Sequence, residues 1–133
     1  MHFFVYMYQF DDGWVYIGRS REGVNRFNNP KCYMSNKKLY EAMTTQKYEA
    51  SIVFESDNIW DVGWVESYLI NTYPNKYNIN SELDWKKHIR TYIKQYKSKF
   101  DKLGWVVEDE YNTYEPSSSL KDAVLKAVLA SII

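Results

Sequence analysis

Residues 3–18, FFVYMYQFDDGWVYIG, decide the predicted fold, because they place two β-favouring runs on either side of an acidic turn. The first run, residues 3–8, is almost entirely apolar or aromatic, and residues 14–17 form the second run. Between the runs, Asp11-Asp12-Gly13 ends in the Asp-Gly pair that is typical of hairpin turns. The chain is therefore predicted to begin with a β-hairpin.

The length of the hairpin loop determines which side chains share a face of the sheet. Side chains alternate along a strand, so Tyr6 lies on the even-numbered face of the first strand, and Tyr16 lies with Gly18 on one face of the second. A three-residue loop brings Tyr6 and Tyr16 together beside a residue that has no side chain. A two-residue loop puts them on opposite faces, and the sequence leaves both registers open. Aromatic residues are also common in half-buried strands, so the pattern alone indicates only a packed sheet.

Composition limits the class of protein. The 133 residues suffice for one domain with a hydrophobic core and an appended element. Lys plus Arg and Asp plus Glu both number 17, so the net charge gives no general attraction to nucleic acid. A single cysteine, Cys32, excludes an internal disulfide framework. Because there is no secretion-signal pattern and no apolar run near the roughly 20 residues of a membrane span, we expect a cytoplasmic protein without membrane association.

Capping signals and hydrophobic periodicity predict the remaining elements of a first domain, residues 1–82. They are a short helix within 20–29 that stops before Pro30, a helix capped by Ser35, a strand over 48–55, and a long helix that is capped by Asp57 or Asn58 and ends before Pro74. In the strand, the side chains expected to share one face are Ala50, Ile52 and Phe54.

Glu66 lies on the apolar face of the long predicted helix, at helical spacing from Val62, Leu69 and Ile70. Burying an unpaired carboxylate costs several kcal/mol, so this side chain needs a cation, a proton or the edge of a cleft. The alternative is that the end of the helix tips it into water. Asn78 follows twelve residues later, after a predicted turn.

A helical accessory region is predicted over residues 83–133. Within residues 85–102, seven Lys or Arg residues stand against one Asp, on a helix whose other face is aromatic and aliphatic. Such a basic face is usually only solvated, but here it is the one surface suited to phosphate groups. The residues expected to contact DNA are Lys86, Lys87, Arg90 and Lys94. A linker over 106–119 and an amphipathic helix over 120–133 complete the region.

Several familiar sites are excluded by residue type. One cysteine and two histidines do not give zinc-ligand spacing, and the five scattered glycines form no phosphate-binding loop. A Ser-His-Asp or Cys-His arrangement would depend on His88, whose place on a lysine-rich helix does not favour it. The remaining chemistry consists of phenol, guanidinium, carboxylate and carboxamide groups.

The order and spacing of these groups resemble the GIY-YIG nuclease superfamily over about residues 3–80. Arg26 follows Gly18 by eight residues, and the motifs that carry the resemblance are Val5-Tyr6, Tyr16-Ile17-Gly18, Arg26, Glu66 and Tyr77-Asn78-Ile79. There are two departures from the family pattern. Phe4 stands where the first motif usually has glycine, and Pro30 stands where many members have histidine or tyrosine, which leaves Tyr33 as the nearest replacement.

The resemblance implies an α+β fold, in which a small three-stranded antiparallel sheet is flanked by helices, and hydrolysis of DNA phosphodiester bonds with Mg²⁺ or Mn²⁺. By likeness, Glu66 would hold the metal, Arg26 would bind the scissile phosphate, and Tyr6 or Tyr16 would orient or deprotonate the attacking water. A phenol with a pKa near 10 is a poor base at neutral pH, so the metal or an arginine would have to lower that pKa. Further roles by likeness are a second phosphate contact for Arg19 and support of the site by Gly18 and Asn78.

The same resemblance suggests a small phage or mobile-element endonuclease that acts in the host cytoplasm. One active site per chain predicts a nick in one strand, unless a homodimer forms through the C-terminal helix. The leading alternative is a catalytically silent DNA-binding module on the same fold. A third is a protein-interaction adaptor that uses its aromatic surface.

Overall fold

The fold is a three-stranded antiparallel sheet with helices packed on it, which confirms the predicted α+β class. The computed structural model describes residues 2–73, 77–78, 85–95, 102 and 113–132, with side chains up to residue 128. Its strands are β1 (Phe3–Phe10), β2 (Val15–Arg21) and β3 (Tyr48–Ser56). Its helices are a 3-10 helix (Pro30–Tyr33), α1 (Lys37–Thr45), α2 (Ile59–Thr72), α3 (Trp85–Gln95) and α4 (Ser118–Ile132).

The sheet has the order β2-β1-β3, so β1 is central and β2 is an edge strand. The hairpin adopts the three-residue loop: the backbone N–H of Phe10 donates to the carbonyl of Trp14 at 3.0 Å, and Gly13 has φ +85°. Tyr6 therefore lies opposite Gly18 in the ladder. The ring centres of Tyr6 and Tyr16 are 6.2 Å apart, on the same face of the sheet.

A β-bulge in β3 changes which of its side chains share a face. Val5 of β1 lies opposite Phe54, whereas the next residue, Tyr6, lies opposite Ile52. One extra residue in a strand reverses the side-chain alternation beyond it. Phe54 consequently packs with the core on the α2 side, while Ala50 packs with the tyrosines on the other side. The prediction that Phe54 shares a face of the strand with Ala50 and Ile52 is therefore wrong.

The segment after β2 differs from the predicted short helix within 20–29. The strand continues to Arg21, turns follow, and Asn28 has φ 57°. Pro30 begins the 3-10 helix instead of ending a helix, because a proline at the first helical position gives up an N–H that would have no intrahelical partner. At the next helix the cap is Asn36, one residue beyond the predicted Ser35.

Of the two predicted caps of the long helix, the structure has Asn58, whose Oδ1 accepts hydrogen bonds from the N–H groups of Trp60 and Asp61. Helix α3 then crosses α2 closely at Gly63. A Cβ at that position would lie 2.6 Å from Cγ1 of Ile89, so no side chain fits between the two helices there. This close crossing fixes α3 beside the sheet.

Two hydrophobic clusters cover the two faces of the sheet. One joins β1, β2 and α2 to α3 and α4 through Ile89, Val124 and Val128. The C-terminal helix therefore packs on the core through Val124 and Val128, and it begins two residues earlier than expected. The other cluster consists of tyrosines and phenylalanines packed against α1.

The accessory region is only partly described. Residues 96–101 of the predicted basic helix and 106–112 of the predicted linker lie outside the described residues. In the described part of that linker, Tyr114 is buried against Trp60 and Trp85, so this residue is an anchor in the core. Among the described residues, no helix has the length and apolar character needed to cross a membrane.

Candidate active site

The free edge of β2 borders two adjoining hollows of about 180 and 350 Å³, which we call together the edge cleft. The residues that line both hollows are Tyr16, Arg26, Glu66 and His88. They come from β2, the turn after it, α2 and α3. Three side chains that the sequence suggested as catalytic, Tyr16, Arg26 and Glu66, are therefore brought together by the fold.

Asn78 closes the edge of β2 next to the cleft. Its Nδ2 donates to the carbonyl of Ile17 at 2.7 Å, and its Oδ1 accepts from the N–H of Ile17 at 3.2 Å. This pair of bonds satisfies backbone groups that an edge strand would otherwise leave to water. The neighbouring Tyr77 is held by Asn36: Nδ2 of Asn36 donates to the carbonyl of Tyr77 at 2.8 Å. Asn78 thus supports the wall of the cleft.

The ring of Tyr6 lies across the backbone of Gly18. A Cβ at Gly18 would be 2.7 Å from Cε2 of Tyr6 and closer still to Cζ and the hydroxyl, so the position accepts only glycine. Tyr6 is 0% exposed, and its hydroxyl bonds to that of Tyr33 at 2.5 Å. Of the two candidate tyrosines, therefore, Tyr16 lines the cleft and Tyr6 lies behind it.

A hydrogen-bond network fixes the turn that carries Arg26. The N–H of Asn28 donates to the hydroxyl of Tyr8 at 2.6 Å, and Oδ1 of Asn28 accepts from the hydroxyl of Tyr48 at 2.6 Å. Asparagine tolerates the left-handed conformation found here better than most residues. This role of Asn28 was not predicted from the sequence, although an Asn-Asn pair before a proline is a signal for a turn.

Arg26 is half-buried among aromatic rings, with its guanidinium carbon 4.8 Å from the centre of the Tyr33 ring. Its charge also interacts with the hydroxyl groups of Tyr6 and Tyr16. Burial raises the pKa of Tyr16, and the opposing effect of Arg26 is smaller. Burial likewise raises the pKa of Tyr6. Both phenols are consequently neutral at pH 7, where they can hydrogen-bond but do not act as bases.

Glu66 has both of the features that its position on an apolar helix face required, a cation and the edge of a cleft. Nε of Arg19 donates to Oε1 of Glu66 at 3.5 Å, and the two side chains are 9% and 13% exposed. Its other oxygen, Oε2, has no hydrogen bond to any residue that the structure describes. Within the described part of the chain, the carboxylate is therefore paired on one side only.

The donors of the cleft suit a metal that binds together with a phosphate. Among the described residues, no group of three or more His, Cys, Asp or Glu side chains could hold a metal ion. Mg²⁺, however, is often bound by one or two carboxylates and completed by waters and substrate phosphates. Glu66 offers one such carboxylate, while Arg19 and Arg26 oppose a cation unless an anion shares the cleft.

The basic residues of α3 share one side of the helix but differ in their contacts. Successive residues of a helix are about 100° apart, so Lys86, Arg90, Lys94 and Lys87 fall within an arc of about 100°. Lys87 and Lys94 are exposed, whereas Nζ of Lys86 donates to the carbonyl of Tyr114 at 2.9 Å. The role of these residues in DNA binding stays a prediction.

The face of α3 that borders the cleft carries His88 and Tyr92 instead. A place for His88 in the site was not predicted from the sequence, although its spacing of one helical turn from Tyr92 is a signal for a shared face. Together with Tyr16, Arg19 and Arg26, this face lines a cleft whose guanidinium and phenol groups are of the types that can bind an anion such as phosphate. Comparison of the chain with protein-family models, with curated proteins and with solved structures gave no match.

Proposed function

We propose that this chain is a metal-dependent DNA endonuclease of the GIY-YIG type, which hydrolyses phosphodiester bonds in the edge cleft. The observation that carries the proposal is the convergence of Tyr16, Arg26 and Glu66 on one cleft at the edge of β2. The motif spacing had singled out these residues, and Glu66 on α2 is 40 residues away from Arg26 in the sequence. The packing of the Tyr6 ring on the backbone of Gly18 also supports the proposal, because it joins the first motif, Val5-Tyr6, to the second, Tyr16-Ile17-Gly18.

Arg26 is assigned to the scissile phosphate. A guanidinium can donate two parallel hydrogen bonds to phosphate oxygens and offset the negative charge that grows as the bond breaks. The ring of Tyr33 and the phenols of Tyr6 and Tyr16 already hold this side chain, so it needs little reorganisation when the phosphate arrives.

Tyr16 is assigned to the attacking water, which it orients through its neutral hydroxyl at the wall of the cleft. Tyr6, behind the cleft, keeps Arg26 in place. In the reaction, the water oxygen forms a bond to phosphorus and its proton passes to solvent. The ester P–O bond breaks, and the leaving sugar oxygen takes a proton from solvent to become a hydroxyl. Glu66 would hold Mg²⁺ or Mn²⁺, which supplies charge neutralisation and a more acidic bound water.

Arg19 is assigned to a second phosphate, and the exposed Lys87 and Lys94 of α3 to the flanking duplex. One cleft per chain makes a single-strand nick the expected product. The predicted homodimer through the C-terminal helix stays a prediction. On that helix the buried valines pack on the core of their own chain, and Leu125 is an exposed apolar side chain at 46%.

The test is cleavage of supercoiled plasmid with Mg²⁺ by the wild-type chain and by Glu66→Gln. The wild type should produce open circles, and Glu66→Gln should lose at least about a hundredfold in rate, because glutamine does not supply the charge that the metal requires. Folding and DNA binding should persist, since the amide oxygen can still accept from Arg19. Glu49→Gln, at an exposed position of β3, is the matched control and should cleave like the wild type. A fully active Glu66→Gln protein would contradict the proposal.

The second candidate is a catalytically silent DNA-binding module on the same fold. The observation in its favour is the ion pair of Glu66 with Arg19, which gives the carboxylate a structural role without any metal. This candidate predicts that the wild type binds DNA but leaves plasmid uncut with either Mg²⁺ or Mn²⁺. It also predicts that Glu66→Gln changes stability more than binding.

A further inference from the structure

Helix α3 lies outside residues 3–80, which carry the family resemblance, yet it forms one wall of the edge cleft. Its residues His88 and Tyr92 are one helical turn apart and face two arginines of β2. Nη2 of Arg19 lies 3.1 Å from Nε2 of His88, and Nε of Arg21 donates to the hydroxyl of Tyr92 at 3.2 Å. The positive charge of α3 predicted a helix with a solvated basic face, but two of its side chains contact the site.

The guanidinium of Arg19 is held from three directions. Glu66 accepts from its Nε, His88 contacts its Nη2, and the guanidinium carbon lies 4.6 Å from the centre of the Tyr92 ring. Arginine can only donate hydrogen bonds, so Nε2 of His88 must accept, and the imidazole carries its proton on Nδ1. Two of these three contacts with Arg19 therefore come from α3.

The electrostatic surroundings keep His88 in the form that can accept. Burial lowers the pKa of His88 and Arg19 lowers it further, while Glu66 acts in the opposite direction with a smaller effect. A neutral imidazole at pH 7 has a lone pair for the arginine, whereas a protonated ring would repel it. The geometry and the surrounding charges thus both indicate that Nε2 of His88 accepts a hydrogen bond from Arg19.

We propose that His88 and Tyr92 are positioning residues that fix Arg19 as a phosphate-binding group, so that α3 is an integral part of the substrate site. A free arginine side chain loses much rotamer entropy when it is ordered by a ligand, and an arginine that is already ordered avoids this cost. The inference rests on the proposed function, since it takes a DNA phosphate as the ligand of Arg19.

The experiment compares His88→Leu with His88→Gln, using a fluorescent DNA duplex. Affinity is measured by anisotropy in EDTA, and KM and kcat are measured with Mg²⁺. His88→Leu should weaken binding and raise KM about tenfold with little change in kcat, because it removes the acceptor and leaves the scissile-phosphate residues in place. His88→Gln offers an amide oxygen and should restore most of the affinity. Thr91→Ala, at an exposed position of the same helix, is the matched control and should bind like the wild type.

A double-mutant cycle with Arg19→Ala separates positioning from other roles. If His88 acts through Arg19, His88→Leu should cost almost nothing in the Arg19→Ala background. Additive losses, a His88→Gln protein as weak as His88→Leu, or a His88→Leu protein with wild-type affinity would each overturn the inference. If His88→Leu does not fold, Tyr92→Leu replaces it in the same cycle with the same expected outcome.

Failure of the inference and failure of the proposed function give different results. A wild type that binds and cleaves DNA, with His88→Leu unaffected, overturns only the role of His88 and Tyr92. A wild type that neither binds nor cleaves DNA overturns the proposed function, and the inference falls with it.

Discussion

Replacement of Gly18 by alanine tests the packing on which the edge cleft depends. The new Cβ would lie 2.7 Å from Cε2 of Tyr6, whereas carbon atoms prefer a separation of about 3.5–4.0 Å. The ring must therefore move by about 1 Å. It is 0% exposed, and its centre lies 5.1 Å from that of Tyr8 and 5.4 Å from that of Phe27, so neighbouring rings block this movement.

The expected cost of Gly18→Ala has two parts. Overpacking of a filled core costs about 1–3 kcal/mol, and strain on the hydroxyl contact between Tyr6 and Tyr33 adds about 0.5–1.5 kcal/mol. We expect the free energy of unfolding to fall by about 2–4 kcal/mol, which for a chain of this length lowers Tm by roughly 7–14 °C. Urea denaturation followed by circular dichroism measures the first quantity, and calorimetry measures the second.

The background of Tyr6→Leu provides the control, because leucine lacks the ring atoms that the new Cβ would meet. In that background, Gly18→Ala should cost less than about 0.5 kcal/mol, which makes the coupling between the two positions at least about 1.5 kcal/mol. An equal cost of Gly18→Ala in both backgrounds would refute the steric argument. The loss would then have to come from the backbone of β2.

The other predictions concern surface charge, the C-terminal helix and pH. The double change Lys87→Ala and Lys94→Ala should reduce the slope of log affinity against log salt for DNA by about two units, and an unchanged slope would mean that this side of α3 is only solvated. Val124→Ala should lower the free energy of unfolding by about 1–3 kcal/mol, because the valine is only 7% exposed. Leu125→Ala should cost less than about 0.5 kcal/mol, because the leucine is 46% exposed. Equal small effects of the two changes would contradict packing of α4 on the core. Hydrogen bonds that the ring of His2 donates to Asp57 and to Glu55 raise the pKa of His2. Its contribution to stability should therefore be full below about pH 6.5 and disappear as pH rises through the higher folded value. The Tm difference between wild type and His2→Gln should therefore shrink from about pH 6 to pH 9, and a constant difference would refute the assignment.

The sequence by itself determined those features that depend on neighbouring residues along the chain. The Asp-Gly turn between two β-favouring runs indicated the hairpin, and the pair Asp57-Asn58 indicated the start of α2 to within one residue, because turn and cap preferences act within a few residues. The apolar face around Glu66 also indicated correctly that this carboxylate needs a cation or a cleft. The motif spacing also singled out Tyr16, Arg26 and Glu66, which the fold brings to one cleft.

Only the tertiary structure decided the features that depend on contacts between distant segments. The bulge that moves Phe54 to the other face of β3 is set by pairing with β1, and no local pattern marks it. The place of Tyr6 behind the cleft and of Tyr16 within it follows from the pairing of Tyr6 with Gly18. His88 reaches the cleft because Gly63 lets α3 approach α2 closely, which no property of the basic helix alone could reveal. Local propensity fixes the elements, but their relative placement depends on long-range packing, and in this chain that placement determines which groups can meet a phosphate.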